Sequence, residues 1–260
     1  MDKNKIHIIF DLDGTIFDTE FEVSRITANL VKEKMDYDIS PERVFCEFAG
    51  LGPVEKFIKI AESEGLEATD EEFEEMGRLH EERKQALYDQ DTIPVVPGVR
   101  ETLERFYNNP LIEMTIGSTN PTERQKKGLK KEGLIHYFSG FFGPDLTNGV
   151  KKPEPDVFLL AMKTIGSEAE NTFVVEDTDA GVIAGVRSGA HTVVYLDPRF
   201  GNDELAVEKT TKMLGHGVNS IMRRFDHLIA IVEAKLDTMK NTSEATPTAR
   251  KRSAGQSNKP

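Results

Sequence analysis

Cysteine is almost absent from this sequence. Cys46 is the only one in 260 residues, so the chain cannot form an internal disulfide, and a reducing compartment such as the cytoplasm is expected. Long apolar runs are missing as well, since none approaches the roughly 18 residues of a membrane-spanning helix. The opening residues M-D-K-N-K precede an apolar stretch that stops at Asp11, so no secretory signal is expected. These absences predict a cytoplasmic protein that does not bind a membrane.

Positive charge is also in short supply. The chain has 33 Lys and Arg against 45 Asp and Glu, a formal net charge of −12. Nucleic-acid backbones are bound by clustered Lys and Arg, so no nucleic-acid partner is expected. Common phosphate and zinc motifs are missing too: there is no G-x-x-x-x-G-K-[ST], and His80-Glu81 lacks a second histidine at the required spacing. An anionic ligand would therefore need a local positive group.

Short apolar segments recur along the chain and alternate with helix-length segments. The predicted strands are Ile6–Phe10, Met114–Gly117, Thr172–Val175 and Thr192–Leu196. Such alternation is typical of a parallel α/β sheet. Residues 18–91 differ, because they show helical spacing and helix-start signals, Ser40 before Pro41 and Thr69 before Glu72. The sequence predicts an α/β core at 1–17 and 92–237, a helical insert at 18–91 and a disordered tail at 238–260.

Two aspartates follow the first predicted strand in the stretch I-I-F-D-L-D-G-T. Asp11 and Asp13 are two residues apart, so on an extended chain their side chains point the same way, and Gly14 permits a sharp turn. Two close carboxylates repel each other unless a positive group lies between them. Mg²⁺ suits such oxygen ligands. The alternative is an ordinary turn after a strand.

Two further stretches carry groups suited to phosphate. T-I-G-S-T-N-P offers the Ser118 hydroxyl and backbone N–H groups at a helix start, although Asn120 could simply cap that helix. V-K-K-P-E-P-D-V-F would hold Lys152 inward as a point charge, although a surface turn that carries lysines is the alternative. Both stretches follow or precede predicted sheet elements, so their side chains can approach one edge of the sheet.

Another acid pair ends the third predicted strand, in F-V-V-E-D-T-D-A-G. Glu176 and Asp177 pose the same electrostatic problem as the first pair, and one shared cation would solve both. Asp179 is interpreted as the N-cap of the following helix. Four strand ends in this order therefore predict a single phosphate and magnesium site.

The order and content of the four stretches resemble the haloacid dehalogenase superfamily over residues 6–235. K-P-x-P-D-x-F and E-D-x-x-A-G match the members with a helical cap, which include phosphoglycolate phosphatase, sugar-phosphate phosphatases and β-phosphoglucomutase. The resemblance implies a Rossmann-like parallel sheet with an inserted all-helical cap. It also implies a hydrolase that uses Mg²⁺ and acts on a small phosphorylated metabolite.

Site roles follow from the resemblance, position by position. Asp11 would be the nucleophile that becomes an aspartyl-phosphate, and Asp13 the general acid and base. Magnesium would be held by Asp11, the Asp13 carbonyl, Glu176 and Asp177. The phosphoryl oxygens would be held by Ser118, the Thr119 amide and Lys152. The predicted activity is hydrolysis of small phosphate monoesters of the sugar-phosphate or phosphoglycolate type.

Alternatives remain at the level of the reaction. Phosphomutases of this type usually carry Val and His where this chain has Thr15 and Val23, and Arg where it has Pro53. Asp13 disfavours a dehalogenase, and a phosphonate hydrolase would need a cap lysine that the sequence does not single out. A non-catalytic, receiver-like phospho-acceptor module is the alternative from another class.

Substrate choice is expected to depend on the cap. Thr19, Gly50, Leu51 and Lys56 are candidate contributors. The sequence gives neither the substrate nor the oligomeric state.

Overall fold

The computed structural model describes residues 5–48, 51–90, 93–201 and 204–244. Within these ranges the chain alternates strands and helices after an all-helical segment. The strands are β1 (Ile6–Phe10), β2 (Ile112–Gly117), β3 (Gly140–Phe142), β4 (Thr172–Glu176), β5 (His191–Tyr195) and β6 (Ser220–Met222). The helices are α1 (Thr19–Met35), α2 (Pro41–Phe48), α3 (Pro53–Glu64), α4 (Asp70–Gln90), α5 (Val99–Tyr107), α6 (Thr122–Lys131), α7 (Asp156–Ile165), α8 (Asp179–Arg187), α9 (Glu204–Gly215) and α10 (Phe225–Glu244).

The strands form one parallel sheet in the order β3-β2-β1-β4-β5-β6. The chain builds one side of the sheet from β1 through β2 to β3, and then crosses to β4 on the other side of β1. Open α/β sheets bind ligands at such a switch point, beyond the carboxyl ends of the strands. The register aligns Phe10 with Ile116 and with Val175, so the three central strands end at nearly the same level.

Strand β1 is buried on both faces, which explains its nearly continuous apolar sequence. Phe10 packs into the larger apolar cluster on one face, and Ile9 into the cluster on the other. His7 is the polar exception. Its ring nitrogens lie 2.8 Å from Thr115 Oγ1 and 2.8 Å from Ser167 Oγ, so both are hydrogen-bonded inside the core.

Helices α1 to α4 occupy the predicted insert and have an apolar core of their own, built from residues such as Leu30, Val31, Val44, Phe57 and Ile60. The predicted start signals form real caps. Ser40 Oγ accepts from the Arg43 N–H at 3.2 Å, and Thr69 exchanges hydrogen bonds with Glu72. No strand is found among the described residues of 18–91.

The chain enters and leaves the helical segment through two paired connections. The Asp18 N–H donates to Pro94 O at 2.8 Å, and the Val96 N–H donates to Ile16 O at 2.9 Å. Phe17 and Val95 form an isolated antiparallel bridge. Residues 93–98 thus pair with the outgoing connection and belong to no strand of the sheet.

Two predicted features need correction. Strands β3 and β6 were not predicted, because three residues are too few to show a period. Helix α10 runs to Glu244, so residues 238–244 are helical, although the sequence predicted a disordered tail from Thr238. Residues 245–260 of that tail lie outside the described residues.

The longest helices of the described part are α4, with 21 residues, and α10, with 20. Charged residues are spread along both. Across the described ranges, no helix is both long and apolar enough to cross a bilayer.

Candidate active site

Asp11 lies at the carboxyl end of β1, at the switch point of the sheet. It is 6% exposed, and its N–H donates to Val175 O at 2.9 Å, which continues the pairing with β4. The register places Asp11 level with Gly117 on one side and with Glu176 on the other. The aspartate is therefore fixed between the two neighbouring strand ends.

Lys152 connects the two acidic strand ends. Its side chain is 3% exposed, and the ammonium donates to Asp11 Oδ1 and to Glu176 Oε1. The ammonium also lies 4.9 Å from the centroid of the Phe158 ring on α7. The predicted inward orientation of Lys152 is thus what the structure has, and the surface-turn alternative is wrong.

Both oxygens of the Glu176 carboxylate accept hydrogen bonds from the protein. One oxygen accepts from Lys152, and the other accepts from the N–H groups of Asp177 and Thr178 at 3.0 and 3.2 Å and from Thr178 Oγ1 at 3.1 Å. A Cβ at residue 181 would overlap this carboxylate, so Gly181 is required. Glu176 therefore orders the loop that carries Asp177.

Asp177 faces Asp11 across the site. Its Oδ1 accepts from Thr15 Oγ1 at 2.9 Å. Gly14 has φ +80°, and any side chain there would overlap the Asp177 carboxylate. Gly14 thus serves both the turn and the close approach of the acid.

One carboxylate oxygen from each of Asp11, Glu176 and Asp177 lies within 4.8 Å of the other two. Lys152 supplies one positive charge against these three acids. The arrangement therefore has an excess of negative charge and an oxygen-only donor set, which fits a hard divalent cation such as Mg²⁺.

The electrostatics of the site follow from burial and crowding. Burial raises the pKa of Asp11 to about 8, with Lys152 opposing the rise and Glu176 adding to it. Burial and the charges of Glu176 and Asp11 raise the pKa of Asp177 well above its ordinary value. For Lys152, burial alone would lower the pKa, but Asp11 and Glu176 outweigh it, so the pKa is raised and the lysine is charged.

Asp13 is half-buried and is held from the β2 side of the site. Its Oδ2 accepts a hydrogen bond from Asn120 Nδ2. The interpretation of Asn120 as a helix N-cap is therefore wrong. Helix α6 begins at Thr122, and Asp145 accepts from the Thr122 N–H at 3.0 Å in the capping role.

Ser118 follows β2 and is 2% exposed. Its N–H donates to Phe142 O at 3.0 Å, and its Oγ accepts from the Asn120 N–H at 3.2 Å. Asn120 therefore contacts both Ser118 and Asp13. Thr119 is exposed, and among the described residues its backbone N–H donates to no acceptor.

The predicted cap of α8 needs correction as well. Thr178, not Asp179, is the N-cap, since its Oγ1 accepts from the Gly181 N–H at 3.1 Å. Asp179 instead pairs with Lys212 on α9 and with His216, the residue that follows this helix. The signal for Thr178 was present in the sequence, because threonine is also a common N-cap.

A cleft of about 520 Å³ opens beside Asp177. Gly14 and Glu20 line it near the site, and Phe200 and Met213 line it farther away. Its volume is in the range of small-molecule sites, ~300–1,000 Å³. A small phosphorylated metabolite would fit beside the acid cluster.

Arg199 joins the loop after β5 to the helical segment. Its guanidinium donates to Asp18 at 2.9 Å and lies 4.1 Å from the centroid of the Phe21 ring. The neighbouring Phe200 stacks on Phe45 of α2, with 4.6 Å between ring centroids. The sequence did not point to this contact, which forms one wall of the cleft.

The candidate specificity residues differ in their placement. Thr19 is 1% exposed and its Oγ1 accepts from the Gly14 N–H at 3.0 Å, so it stabilises the turn. Leu51 packs against the core of the helical segment, and Gly50 lies outside the described residues. Lys56 is 5% exposed. Lys56 is thus a buried lysine of the helical segment, which the sequence alone could not show.

A profile of the family described as haloacid dehalogenase-like hydrolase matches residues 8–195. The chain belongs to this family. All predicted site residues, from Asp11 to Asp177, lie in the matched segment of this haloacid dehalogenase-like hydrolase. The predictions of the family and of a Rossmann-like parallel α/β fold are confirmed.

Two curated relatives are named as phosphatases. The phosphorylated carbohydrates phosphatase of Thermotoga maritima is 30% identical over 196 residues, which cover 72% of this chain and 82% of the relative. The phosphoglycolate phosphatase of Aquifex aeolicus is 31% identical over 189 residues, with coverage of 73% and 84%. The solved structure of a haloacid dehalogenase family hydrolase from Deinococcus radiodurans, with bound phosphate and sodium, is similar to this chain with a TM-score of 0.71 at 22% identity. The match covers 90% of this chain and 98% of the solved chain, and it supports the fold.

Proposed function

We propose that this chain is a Mg²⁺-dependent phosphatase that hydrolyses small phosphate monoesters through an aspartyl-phosphate on Asp11. The observation that carries the proposal is the convergence of Asp11, Glu176, Asp177 and Lys152 at the switch point of the sheet. The broader class, a haloacid dehalogenase-like phosphoric monoester hydrolase, follows from the family and from relatives named as phosphatases. A cytoplasmic location is part of the proposal and rests on the single cysteine.

The proposal divides the chain into a core and a cap. Residues 1–17 and 92–244 would form the core, and residues 18–91 the cap. The separate apolar cluster of α1 to α4 and the paired connections around Phe17 and Val95 support this division. Closure of the cap over the cleft would exclude water from the reacting phosphoryl group.

The metal would be held by Asp11, Asp177 and the Asp13 carbonyl, with Glu176 contributing a remaining lone pair. Burial raises the pKa of Asp11 and of Asp177, and the charges of the neighbouring acids add to the rise, so a cation would relieve the crowding of the three carboxylates. Bound Mg²⁺ supplies charge neutralisation for the acids and for the phosphoryl oxygens. This fit rests on the donor chemistry of the site.

Asp11 would attack phosphorus, forming an Oδ–P bond as the P–O ester bond breaks. Asp13 would donate its proton to the departing alkoxide, so that an alcohol leaves. Asp13 would then remove a proton from water as the water oxygen attacks phosphorus. The Asp11–phosphorus bond breaks, and phosphate leaves. The hydrogen bond from Asn120 would keep the Asp13 carboxyl group oriented for both proton transfers.

The phosphoryl oxygens would be bound by Lys152, the Ser118 hydroxyl and the Thr119 N–H. The Ser118 amide is already bonded to Phe142, so its hydroxyl is the donor that remains. In this role Lys152 would also hold Asp11 in position before substrate binds. Positioning and charge compensation are most of what phosphoryl transfer requires of a protein.

Phosphate release from a panel of monoesters tests the proposed function. We expect Mg²⁺-dependent release from p-nitrophenyl phosphate and from phosphoglycolate or a sugar phosphate, with loss of activity in EDTA. A phosphomutase would isomerise a sugar phosphate without net release, and a receiver-like module would release no more than one equivalent per chain. Either result, or no release at all, would contradict the proposal.

Replacement of Asp177 by asparagine should separate metal binding from folding. In the wild-type protein, Mg²⁺ at a hundredfold excess over Kd should raise Tm by roughly 5–10 °C. The rise should be larger at pH 8 than at pH 5, because protons compete with the cation for acids whose pKa is raised. Asp177→Asn should lose most of the rise. Its Mg²⁺-free Tm should be no lower than wild type, because one acid is removed from a crowded cluster.

Differential scanning calorimetry across a MgCl₂ series measures this effect. Asp179→Asn is the matched control, because Asp179 lies two residues away and pairs with Lys212 on α9. The control should keep the full Mg²⁺-dependent rise. An equal rise in Asp177→Asn and in wild type would place the cation elsewhere.

A further inference from the structure

Gln125 on α6 is fully buried, and its side chain donates to two backbone carbonyls. The residue is 0% exposed, and its Nε2 donates to Asn120 O at 2.7 Å and to Phe142 O at 2.8 Å. Carbonyl oxygens only accept hydrogen bonds, so the amide nitrogen must face them and the orientation of the side chain is fixed. Gln125 therefore connects the loop after β2 to the end of β3.

The oxygen of the same amide is left without a partner. Gln125 Oε1 is buried and accepts no hydrogen bond within the described part of the chain. Buried polar atoms without a partner are unfavourable and rare in native proteins. An apolar side chain of similar size would fill the space without that cost. The two donated hydrogen bonds, and not the filling of space, therefore distinguish a glutamine at this position.

The first of the two carbonyls belongs to Asn120, whose side chain contacts the candidate active site. Asn120 Nδ2 donates to Asp13 Oδ2. A side chain can orient its neighbour only as precisely as its own backbone is held. Among the described residues, Gln125 is the donor to the Asn120 carbonyl, and no backbone N–H donates to it. Gln125 thus holds the backbone from which the Asp13 contact is made.

The end of β3 packs closely against this hydrogen bond. A Cβ at residue 143 would lie 2.4 Å from Asn120 O and 2.9 Å from Gln125 Nε2, so Gly143 is required by the close approach of the backbone. The Asn120 carbonyl is therefore held by a donor and by close packing around it.

The second carbonyl makes the binding of phosphate independent of Gln125. Phe142 O accepts from Gln125 and also from the Ser118 N–H at 3.0 Å. A carbonyl oxygen has two lone pairs, so the Ser118 hydrogen bond persists without Gln125. Loss of the Gln125 amide should therefore leave Ser118 in place and release Asn120.

We propose that Gln125 is a positioning residue for the proton transfers of Asp13 and that it acts through Asn120. This inference rests on the proposed function. As the P–O ester bond breaks, the proton of the Asp13 carboxyl group passes to the departing alkoxide oxygen, which requires the acid within hydrogen-bond distance of that oxygen. Asn120 holds the carboxyl group at that place, and Gln125 holds Asn120.

Esters that differ in their need for a proton test the assignment. Nitrophenolate leaves without a proton, whereas the alkoxide of phosphoglycolate or of a sugar phosphate needs one. Gln125→Met keeps the approximate size of the side chain and removes both donors. It should lower kcat/KM for the alkyl ester roughly 10–100-fold and for p-nitrophenyl phosphate by less than about threefold. Inhibition by inorganic phosphate should be unchanged, because Ser118 and Lys152 stay in place.

A double-mutant cycle with Asn120→Ala tests the route of the effect. Asn120→Ala should show the same dependence on the leaving group. Adding Gln125→Met to it should lower kcat/KM by less than about a further threefold, because the side chain that Gln125 positions is already gone. Losses that multiply would show that Gln125 acts by another route and would overturn the inference.

Lys130→Met is the matched control, because it places the same residue on an exposed position of the same helix. It should leave kcat/KM unchanged for both esters. Gln125→Met should have a lower Tm than wild type, since the Asn120 carbonyl loses its donor, so activity is measured well below that Tm. Gln125→Leu, which is also apolar and without donors, serves as the second variant if methionine does not fold there.

Equal losses for the alkyl ester and for p-nitrophenyl phosphate, or weaker inhibition by inorganic phosphate, would show a purely structural role for Gln125 and overturn the inference. Unchanged kcat/KM for both esters would overturn it as well. Failure of the proposed function gives a different result, because neither the wild-type protein nor any variant would then show Mg²⁺-dependent hydrolysis of either ester.

Discussion

Asp11→Asn is expected to abolish turnover, with kcat reduced by about 10⁴-fold or more, the order seen when a catalytic nucleophile is removed. An amide oxygen is a far weaker nucleophile than a carboxylate, so no phosphoenzyme should form. Steady-state and burst-phase phosphate release from the best substrate of the panel measure the effect. A burst, or turnover within about tenfold of wild type, would remove Asp11 from the nucleophile role.

The folded state of Asp11→Asn should be intact. Because the pKa of Asp11 is raised from 3.8 to about 8, the folded protein binds more protons than the unfolded chain between these values. Stability without a cation therefore falls as pH rises through that window. Asp11→Asn lacks the ionisable group that causes this loss of stability, so its Tm should be at least as high as that of wild type at neutral pH. The decrease in Tm with rising pH should also be smaller in the variant.

Asp13→Ala is the companion variant, because it spares the nucleophile. It should lose steady-state turnover as well, since neither the leaving group nor the attacking water is served by a general acid or base. Phosphoenzyme can still form there with an activated ester such as p-nitrophenyl phosphate. A variant that keeps normal turnover would show that the half-buried Asp13 has no proton-transfer role.

Lys152→Met is expected to damage both folding and activity. Removal of one partner from a buried charge network leaves Asp11 and Glu176 uncompensated, which costs about 3–5 kcal/mol of unfolding free energy. That loss corresponds to a decrease in Tm of roughly 6–20 °C. Activity should fall by at least about 10³-fold, because a charge on the phosphoryl oxygens and the anchor of Asp11 are lost together.

Acid pH distinguishes this mechanism from a simple packing defect. Protonation of the unpaired carboxylates should recover much of the lost stability of Lys152→Met at pH 5, whereas a packing defect would persist. Lys151→Met is the matched control, because Lys151 is exposed on the same turn. Lys152→Arg should not restore activity, since a planar guanidinium does not fit a point-charge position. If Lys152→Met were as stable and as active as wild type, the ion pairs of Lys152 with Asp11 and Glu176 would not have the proposed role.

The parts of the fold visible in the sequence are those with strong local patterns. β1 and β4 are buried on both faces and so appear as continuous apolar runs. The starts of α2 and α4 could be predicted, because Ser40 and Thr69 cap these helices by accepting hydrogen bonds from residues close to them in sequence. β3 and β6 could not be predicted, because each has only three residues and is a strand only through its pairing with β2 or β5.

Site residues that directly follow a strand could be predicted from the sequence. Residues whose placement depends on a contact with a distant segment could not. Asp11 and Asp177 come together because the register of β1 and β4 aligns their ends. Asn120 was misread, because the Asp145 cap and the Asp13 contact join residues far apart in sequence. Lys56 is an ordinary helical lysine in the sequence, and only tertiary burial distinguishes it.

Peptide mass spectrometry of the acid-quenched enzyme tests the central claim most directly. Asp13→Ala is mixed with Mg²⁺ and p-nitrophenyl phosphate, quenched within a single turnover, digested and sequenced. The account predicts one added phosphoryl group on Asp11, absent without Mg²⁺ and absent in the Asp11→Asn/Asp13→Ala double variant. A phosphoryl group on another residue, or an unmodified Asp11 peptide while nitrophenol is released, would contradict it.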